Sequence, residues 1–451
     1  MAVPQISGLA RPVADNDFLS ARALFPDLDF EGFHAEALPE RIARNGHLVV
    51  DDLRGVAPIA FTLPGGPVYT YSYSYTNTNT PSAEGLRVEA GDSGAGALFE
   101  LEAAAFSDLV HELHTVSGLV IGQKVHPRRG GHADLERWQP ALRAIFSGRP
   151  IWTPQAAEDL VDADGQPLDL SRTFTLDDPD DDLRAFLRTA GFLHVKRAFV
   201  PAEVAALGAE LERVRAALEP GAGDCWWSTN GAGEQVVTRI NYLDRESDTL
   251  GETGLDPRIQ RLGRLEHGDL RMCADRLDGP MAFVKNADVV QGLGDLQWHQ
   301  DDGLGGHPVM CPLMQVGIQL DPANAANGQV RVLAGSHRYS NHPLSWDDEA
   351  GKPVVALETE PGDVTVHFGD VFHTTPPPTS PDAGRRVLYF KFAPPQTFQT
   401  IPPGGHYNDI LFKPDAAGRV ATRAATWEDD DTQAGFEERT FDENENEGEA
   451  S

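Results

Sequence analysis

Gly294-Asp-Leu-Gln-Trp-His299-Gln300-Asp301-Asp302-Gly303 is the stretch on which the reading of this chain turns. In an extended strand alternate side chains share a face, so His299 and Asp301 project to one side and Gln300 to the other. Two donors for one metal ion thus come from three consecutive residues. Asp302 could replace Asp301 only by breaking that alternation. A further donor, His373, stands in Gly369-Asp-Val-Phe-His-Thr-Thr-Pro376, and His367, six residues earlier, competes for the same part.

Around this stretch, from about residue 280, short strands alternate with Gly, Pro and Asn: 281–284, 314–320, 329–333, 354–358, 363–367, 371–375 and 385–392. Such spacing predicts a double-sheet β fold, of which the jelly roll is one. Upstream, Val204, Leu207, Leu211, Val214 and Leu218 recur at helical spacing after Pro201, and 191–200 alternates like a strand. A new domain is expected to open near residue 175, with the acidic run Asp177 to Asp182 as a linker. The first 170 residues read as an α+β unit, with strands at 59–63, 68–75 and 98–101, a helix near 105–113 and another at 135–146. Tyr69, Tyr71, Tyr73 and Tyr75 would share one strand face, where packing is expected. His111, His114 and His126 lack a matching carboxylate pattern, so no metal site is expected there. The fold class is therefore α+β: an N-terminal α+β domain over 1–170, a C-terminal double-stranded β-helix (jelly roll) with flanking helices over 175–415, and an acidic, disordered tail over 416–451.

Composition narrows the function. The net charge of −32 repels phosphate and anionic lipid, which argues against nucleic acid and membrane partners. No apolar run reaches the ~18 residues of a membrane span. The N-terminus lacks a basic flank and a cleavable apolar segment, so a cytoplasmic location is expected. Cys225, Cys273 and Cys311 form no close pair and read as inert thiols.

Two histidines and one carboxylate on one face of an ion leave its other positions open, the arrangement of non-haem Fe(II) oxygenases. In such enzymes 2-oxoglutarate takes two of those positions and dioxygen the last, and the far carboxylate of 2-oxoglutarate needs a cation. Arg385 can grip a carboxylate with two parallel hydrogen bonds. On its strand Arg385, Val387, Tyr389 and Lys391 form one face, read as cavity lining. Arg386, Leu388, Phe390 and Phe392 form the other, read as packing; the reverse assignment would make Arg386 the clamp.

Four pieces in order carry a specific resemblance: Met281-Ala-Phe-Val-Lys285, Trp298-His-Gln-Asp301, Asn327-Gly-Gln-Val-Arg-Val-Leu-Ala-Gly-Ser-His337, and Pro361-Gly-Asp363 leading through His373 to Arg385. Residues 175–400 resemble the phytanoyl-CoA dioxygenase family of Fe(II)/2-oxoglutarate oxygenases. The resemblance implies His299, Asp301 and His373 as iron ligands, and it prefers His373 to His367 by its order. It implies Arg385 as the 2-oxoglutarate partner, assisted by Thr375, with Met281 and Lys285 as further contacts. Ala334 replaces the usual Pro before Gly-Ser-His, and the segment after His373 is rich in proline. The implied cofactors are Fe(II), 2-oxoglutarate and O2. The implied reaction hydroxylates a small-molecule or lipid-like metabolite with release of succinate and CO2, and the retained Asp301 disfavours halogenation. The N-terminal part resembles a sterol-carrier-like domain in pattern alone.

Two other classes compete: a cupin-like metalloenzyme that does not use 2-oxoglutarate, and a noncatalytic binding protein on the same scaffold. Arg385 argues against the first and the intact donor set against the second. Surface or core places are expected for His307, His337, His342 and His406. Trp226 and Trp227 are core or pocket residues. The loop 337–353, with Trp346 to Glu349, is either a lid or a solvated turn.

Overall fold

The apolar alternation read between residues 59 and 101 becomes strands in the computed structural model, which describes residues 25–74, 85–221, 224–274, 276–286, 288–292, 294–303, 313–380, 383–400 and 408. Tyr75, His307, Cys311, His406 and the 416–451 tail lie outside these residues. Strands β1 (Ile59–Thr62), β2 (Val68–Tyr73), β3 (Leu86–Ala90), β4 (Ala97–Leu101) and β5 (Val125–Arg129) form a sheet in the order β3-β2-β1-β4-β5. Its β1–β4 pair is parallel and the rest are antiparallel. Phe61, Tyr71 and Phe99 are fully buried from this sheet, in one core with Trp138, Leu142 and Ile145 of the helix His132–Ser147. Tyr69 and Tyr73 pack half-buried on that core, as their shared face predicted.

The remaining strands are β6 (Phe192–Val195), β7 (Cys225–Asn230), β8 (Gln235–Ile240), β9 (Arg271–Met272), β10 (Met281–Lys285), β11 (Val289–Gln291), β12 (Leu296–His299), β13 (Met314–Gln319), β14 (Arg331–Leu333), β15 (Val354–Ala356), β16 (Val364–Phe368), β17 (His373–Thr375) and β18 (Arg385–Ala393). One antiparallel sheet runs β11-β7-β8-β10-β18-β13-β16-β6, with β9 paired to β18; the other runs β12-β17-β14-β15. Leu388, Phe390 and Phe392 enter the main core, which extends from Leu160 to Phe392, whereas Val387 and Tyr389 cluster with Met281 on the opposite face of β18.

Asp177 to Asp182 is not a linker. Asp180, Asp181 and Asp182 open the helix Asp180–Ala190, where negative charge meets the positive end of the helix dipole. Asp178 accepts from the Thr175 N–H at 2.6 Å, and Arg261 donates to Asp180 at 2.7 Å, so the run is tied to its surroundings. The helix predicted after Pro201 spans Pro201–Ala217 and buries Val204, Leu207, Leu211 and Val214.

Asp363, fully buried, pins the start of β16 to β6. It accepts from His194 Nε2 at 2.8 Å, Lys196 Nζ at 3.1 Å, and the N–H groups of Arg197 and Glu360 at 2.8 and 3.0 Å. Burial alone would raise its pKa; these donors hold it well below the carboxylate range. Cys225 and Cys273 are both buried, and burial pushes the Cys225 thiol up to about 12. Among the described residues no helix is long and apolar enough to cross a membrane.

Candidate metal centre

The four-stranded sheet sets His299 directly across from His373, because β12 and β17 pair in that register. The Gln297 carbonyl accepts from His299 Nδ1 at 2.7 Å and the Val371 carbonyl from His373 Nδ1 at 2.9 Å. Each bond assigns the proton to Nδ1 and leaves Nε2 as the donor atom for a metal. Asp301 follows β12, with its N–H on the Gly369 carbonyl at 2.7 Å. Nε2 of His299 lies 3.7 Å from Asp301 Oδ1, and Nε2 of His373 lies 3.8 Å from Oδ2. The three candidate donor atoms all fall within 4.8 Å of one another.

Their electrostatics suit a cation. Burial, with the neighbouring His299, pushes His373 down to about 3, so its imidazole is neutral. Burial opposes ionisation of Asp301, but His367, His373 and Lys391 outweigh it and hold the carboxyl well below its usual range. Two imidazole nitrogens and one carboxylate fit a divalent ion with open positions.

Two residues outside the expected donor set hold this group from the facing sheet. Gln315 Nε2 donates to Asp301 Oδ2. His367, the competitor weighed in sequence, stands beside His373 with ring centroids 4.7 Å apart, and its Nε2 lies 3.8 Å from Asp301 Oδ2, with no hydrogen-bond partner among the described residues. Gln315 pairs with His367 on one side and Lys391 on the other, so the three form one row across β16, β13 and β18. A signal for Gln315 existed: Gln315, Gly317 and Gln319 alternate with Val316 and Ile318, which marks a polar face.

Arg385 opens β18 opposite Lys285 on β10. It is 5% exposed, and its Nε and Nη2 donate to the Gly328 carbonyl at 3.3 and 3.2 Å. Among the described residues it forms no ion pair, and burial lowers its pKa. Arg386 points the other way, bonded to Asp321 at 2.8 and 2.7 Å and to Glu212 at 2.9 Å. Its charge is thus already met by two carboxylates. Lys285 donates to Asp295 at 3.0 Å and to the Thr375 and Pro376 carbonyls. Thr375 Oγ1 accepts from the Leu296 N–H at 3.2 Å. Gly328, at φ +63°, is required where these elements converge, since a Cβ there would meet the Pro376 oxygen at 2.1 Å.

Met281 pairs with Tyr389, and Phe283 stacks edge-on to Tyr389 at 5.8 Å and to Trp226 at 6.1 Å. An aromatic wall thus runs outward from His367, with the Arg239 guanidinium over both Trp226 and Phe283. Trp227 instead packs half-buried on the main core. The loop 337–353 lies against the back of the four-stranded sheet: Trp346 Nε1 donates to Thr374 Oγ1 at 2.8 Å, and Trp298 Nε1 to Glu349 at 3.2 Å. Thr374 and Trp298 alternate with His373 and His299, so this loop is on the face away from the donors.

Fold and site together define a double-sheet β protein with a His-Asp-His group between its sheets. The phytanoyl-CoA dioxygenase (PhyH) family model matches residues 187–387. The chain is similar to the crystal structure of EvdMO1 at 22% identity, over 46% of this chain and 48% of that one, with a TM-score of 0.37. It thus spans about half of EvdMO1. It is also similar to the epimerase SnoN, solved with Fe3+, alpha ketoglutarate and nogalamycin RO, at 19% identity over 48% and 83% of the two chains, TM-score 0.38. EctD from S. alaskensis, solved with 2-oxoglutarate and 5-hydroxyectoine, is 17% identical over 49% and 79%, TM-score 0.40. Comparison with curated proteins finds no match.

Proposed function

We propose that this protein is an Fe(II)- and 2-oxoglutarate-dependent dioxygenase that hydroxylates a small-molecule or lipid-like metabolite. The observation that carries the reading is the donor set of His299, Asp301 and His373, all within 4.8 Å, with both Nδ1 atoms spent on carbonyls. These residues would hold the iron. Iron(II) held there, with 2-oxoglutarate and dioxygen, would supply the oxidising chemistry, 2-oxoglutarate leaving as succinate and CO2.

The other residues bind, orient and exclude water. Arg385 is a buried guanidinium whose partner among the described residues is the neutral Gly328 carbonyl, and an unopposed buried charge is costly. A carboxylate supplies the counter-charge through two parallel hydrogen bonds, which suits the distal end of 2-oxoglutarate. Lys285 pairs with Arg385 and reaches the Thr375 carbonyl, and Met281 pairs with Tyr389 further along the same two strands. Met281, Val387 and Tyr389 form an apolar surface that keeps water from the reacting centre.

Anaerobic titration of the metal-free protein with Fe(II), then 2-oxoglutarate, tests this directly. A weak visible charge-transfer band is expected, absent in His373→Ala. Iron binding without the band would favour a cupin-like enzyme that does not use 2-oxoglutarate; no iron binding would favour a binding protein.

A further inference from the structure

The helix His132–Ser147 brings a cation from the N-terminal region to the back of the metal centre. Arg143 is 4% exposed. Its Nε donates to Glu112 at 3.0 Å, its Nη1 to the Gln300 side-chain oxygen at 3.1 Å, and its Nη2 lies 3.6 Å from Asp370 Oδ1. Gln300 sits between His299 and Asp301, and Asp370 stands three residues before His373. One guanidinium therefore touches both segments that supply the three donors. Arg149, just past the helix, pairs with Asp370 as well. On the far side of the same strand end, the Thr115 N–H and hydroxyl both donate to the Gly303 carbonyl, at 2.9 and 3.1 Å.

We propose that the N-terminal region is a positioning element of the metal centre, with Arg143 setting the spacing between the His299–Asp301 segment and the His373 segment. The proposal rests on the reading of those three residues as metal ligands. A guanidinium is planar and rigid, so Gln300, hydrogen-bonded to Nη1, and the Asp370 carboxylate, ion-paired to Nη2 at 3.6 Å without a hydrogen bond, are placed in a fixed relation to each other. Gln300 cannot turn its amide away, because its Nε2 is engaged by the Asp302 carbonyl at 3.1 Å. The two segments also touch directly, with the Asp301 and Asp302 N–H groups on the Gly369 carbonyl at 2.7 and 3.1 Å. A Cβ at residue 369 would fall 2.3 Å from Asp302 Oδ1, so this contact has no slack. Burial of Arg143, Glu112, Gln300 and Asp370, each under a tenth exposed, shields the links from solvent screening.

The test is anaerobic Co(II) titration of the full, metal-free chain, reading affinity and the d–d spectrum beside thermal unfolding. Arg143→Met keeps the stem and removes the donors; it should weaken Co(II) binding about 10- to 100-fold and change the spectrum. Arg143→Lys should recover part of the loss. Gln300→Leu should act in the same direction, and the double variant should be no weaker than the weaker single, since Gln300→Leu breaks a link that Arg143→Met already removes. His342→Ala, which breaks the Asp52–His342 contact between the same regions, should bind Co(II) as the wild type does. Wild-type affinity and spectrum in a cooperatively folded Arg143→Met protein would overturn the proposal, as would additive losses in the double variant. If Arg143→Met does not fold, Gln300→Leu decides alone, and unchanged affinity there overturns it. A wild type that binds no Co(II) overturns the metal reading itself, and the brace with it.

Discussion

His34 in the N-terminal core and His373 in the metal centre are both buried, and burial pushes both well down, to about 4 and about 3. Their nitrogens are used differently. His34 engages the Phe30 carbonyl through Nδ1 at 2.6 Å and the Tyr71 hydroxyl through Nε2 at 2.8 Å, and it stacks on Tyr69 at 3.9 Å. His373 engages a carbonyl through Nδ1 and directs Nε2 at a carboxylate that two other histidines also face. A depressed histidine pKa therefore marks burial in either place. What separates structure from function is whether the second nitrogen is already spent within the core.

The comparison breaks most sharply at the donors. His373→Ala or Asp301→Ala is expected to abolish metal-dependent turnover while the metal-free chain still unfolds cooperatively. His34→Ala should do the reverse, costing about 2–5 kcal/mol of stability as a core truncation with metal affinity retained. Denaturant titration alongside Co(II) titration reads both; metal affinity lost in the His34 variant would erase the distinction.

Arg385 and Arg386 offer the same contrast on one strand. Arg385→Gln should weaken 2-oxoglutarate binding by about 2–5 kcal/mol, on the order of 30-fold or more, because it removes a buried charge partner. Arg386→Gln should leave that affinity unchanged and cost roughly 1 kcal/mol or less of stability, as expected for a partly exposed pair. Calorimetric titration of 2-oxoglutarate into both variants checks this.

Asp363 sharpens the comparison at acid pH. Its folded pKa is depressed, so its contribution is whole above the unfolded value of ~3.9 and is lost as pH falls through the folded value. Asp363→Asn should lower stability at neutral pH and flatten the acid limb, measured by urea unfolding from neutral pH downward.

The smallest effect belongs to His34. Its folded pKa is depressed to about 4, so the unfolded chain takes up the proton first, and stability should decline as pH falls from ~6.5 to about 4. His34→Phe should flatten that window. An unchanged slope would mean that another group titrates there.

Much of the β architecture was legible because strand periodicity is local. The alternation that put His299 and Asp301 on one side also put Gln300 on the other, where Arg143 receives it. The alternation along β18 likewise separated Arg385 from Arg386. The acidic run before Leu183 misled because its composition is that of a solvated linker, whereas three of its carboxylates form the first turn of a helix. His367 could only be weighed against His373, since a spacing of six residues does not say which strands will face each other.

Sequence alone was enough for the HxD pair, the strand succession around it and the match of residues 187–387 to the PhyH family model. Those follow from contacts within a few residues, which period and turn chemistry encode directly. Only the tertiary structure decided that His299 lies across from His373, that Gln315 and His367 back the Asp301 carboxylate, and that Arg143 joins the N-terminal region to the metal strand. These are pairings across distant segments, set by sheet register and by the burial of charge against a partner, and no local pattern records them.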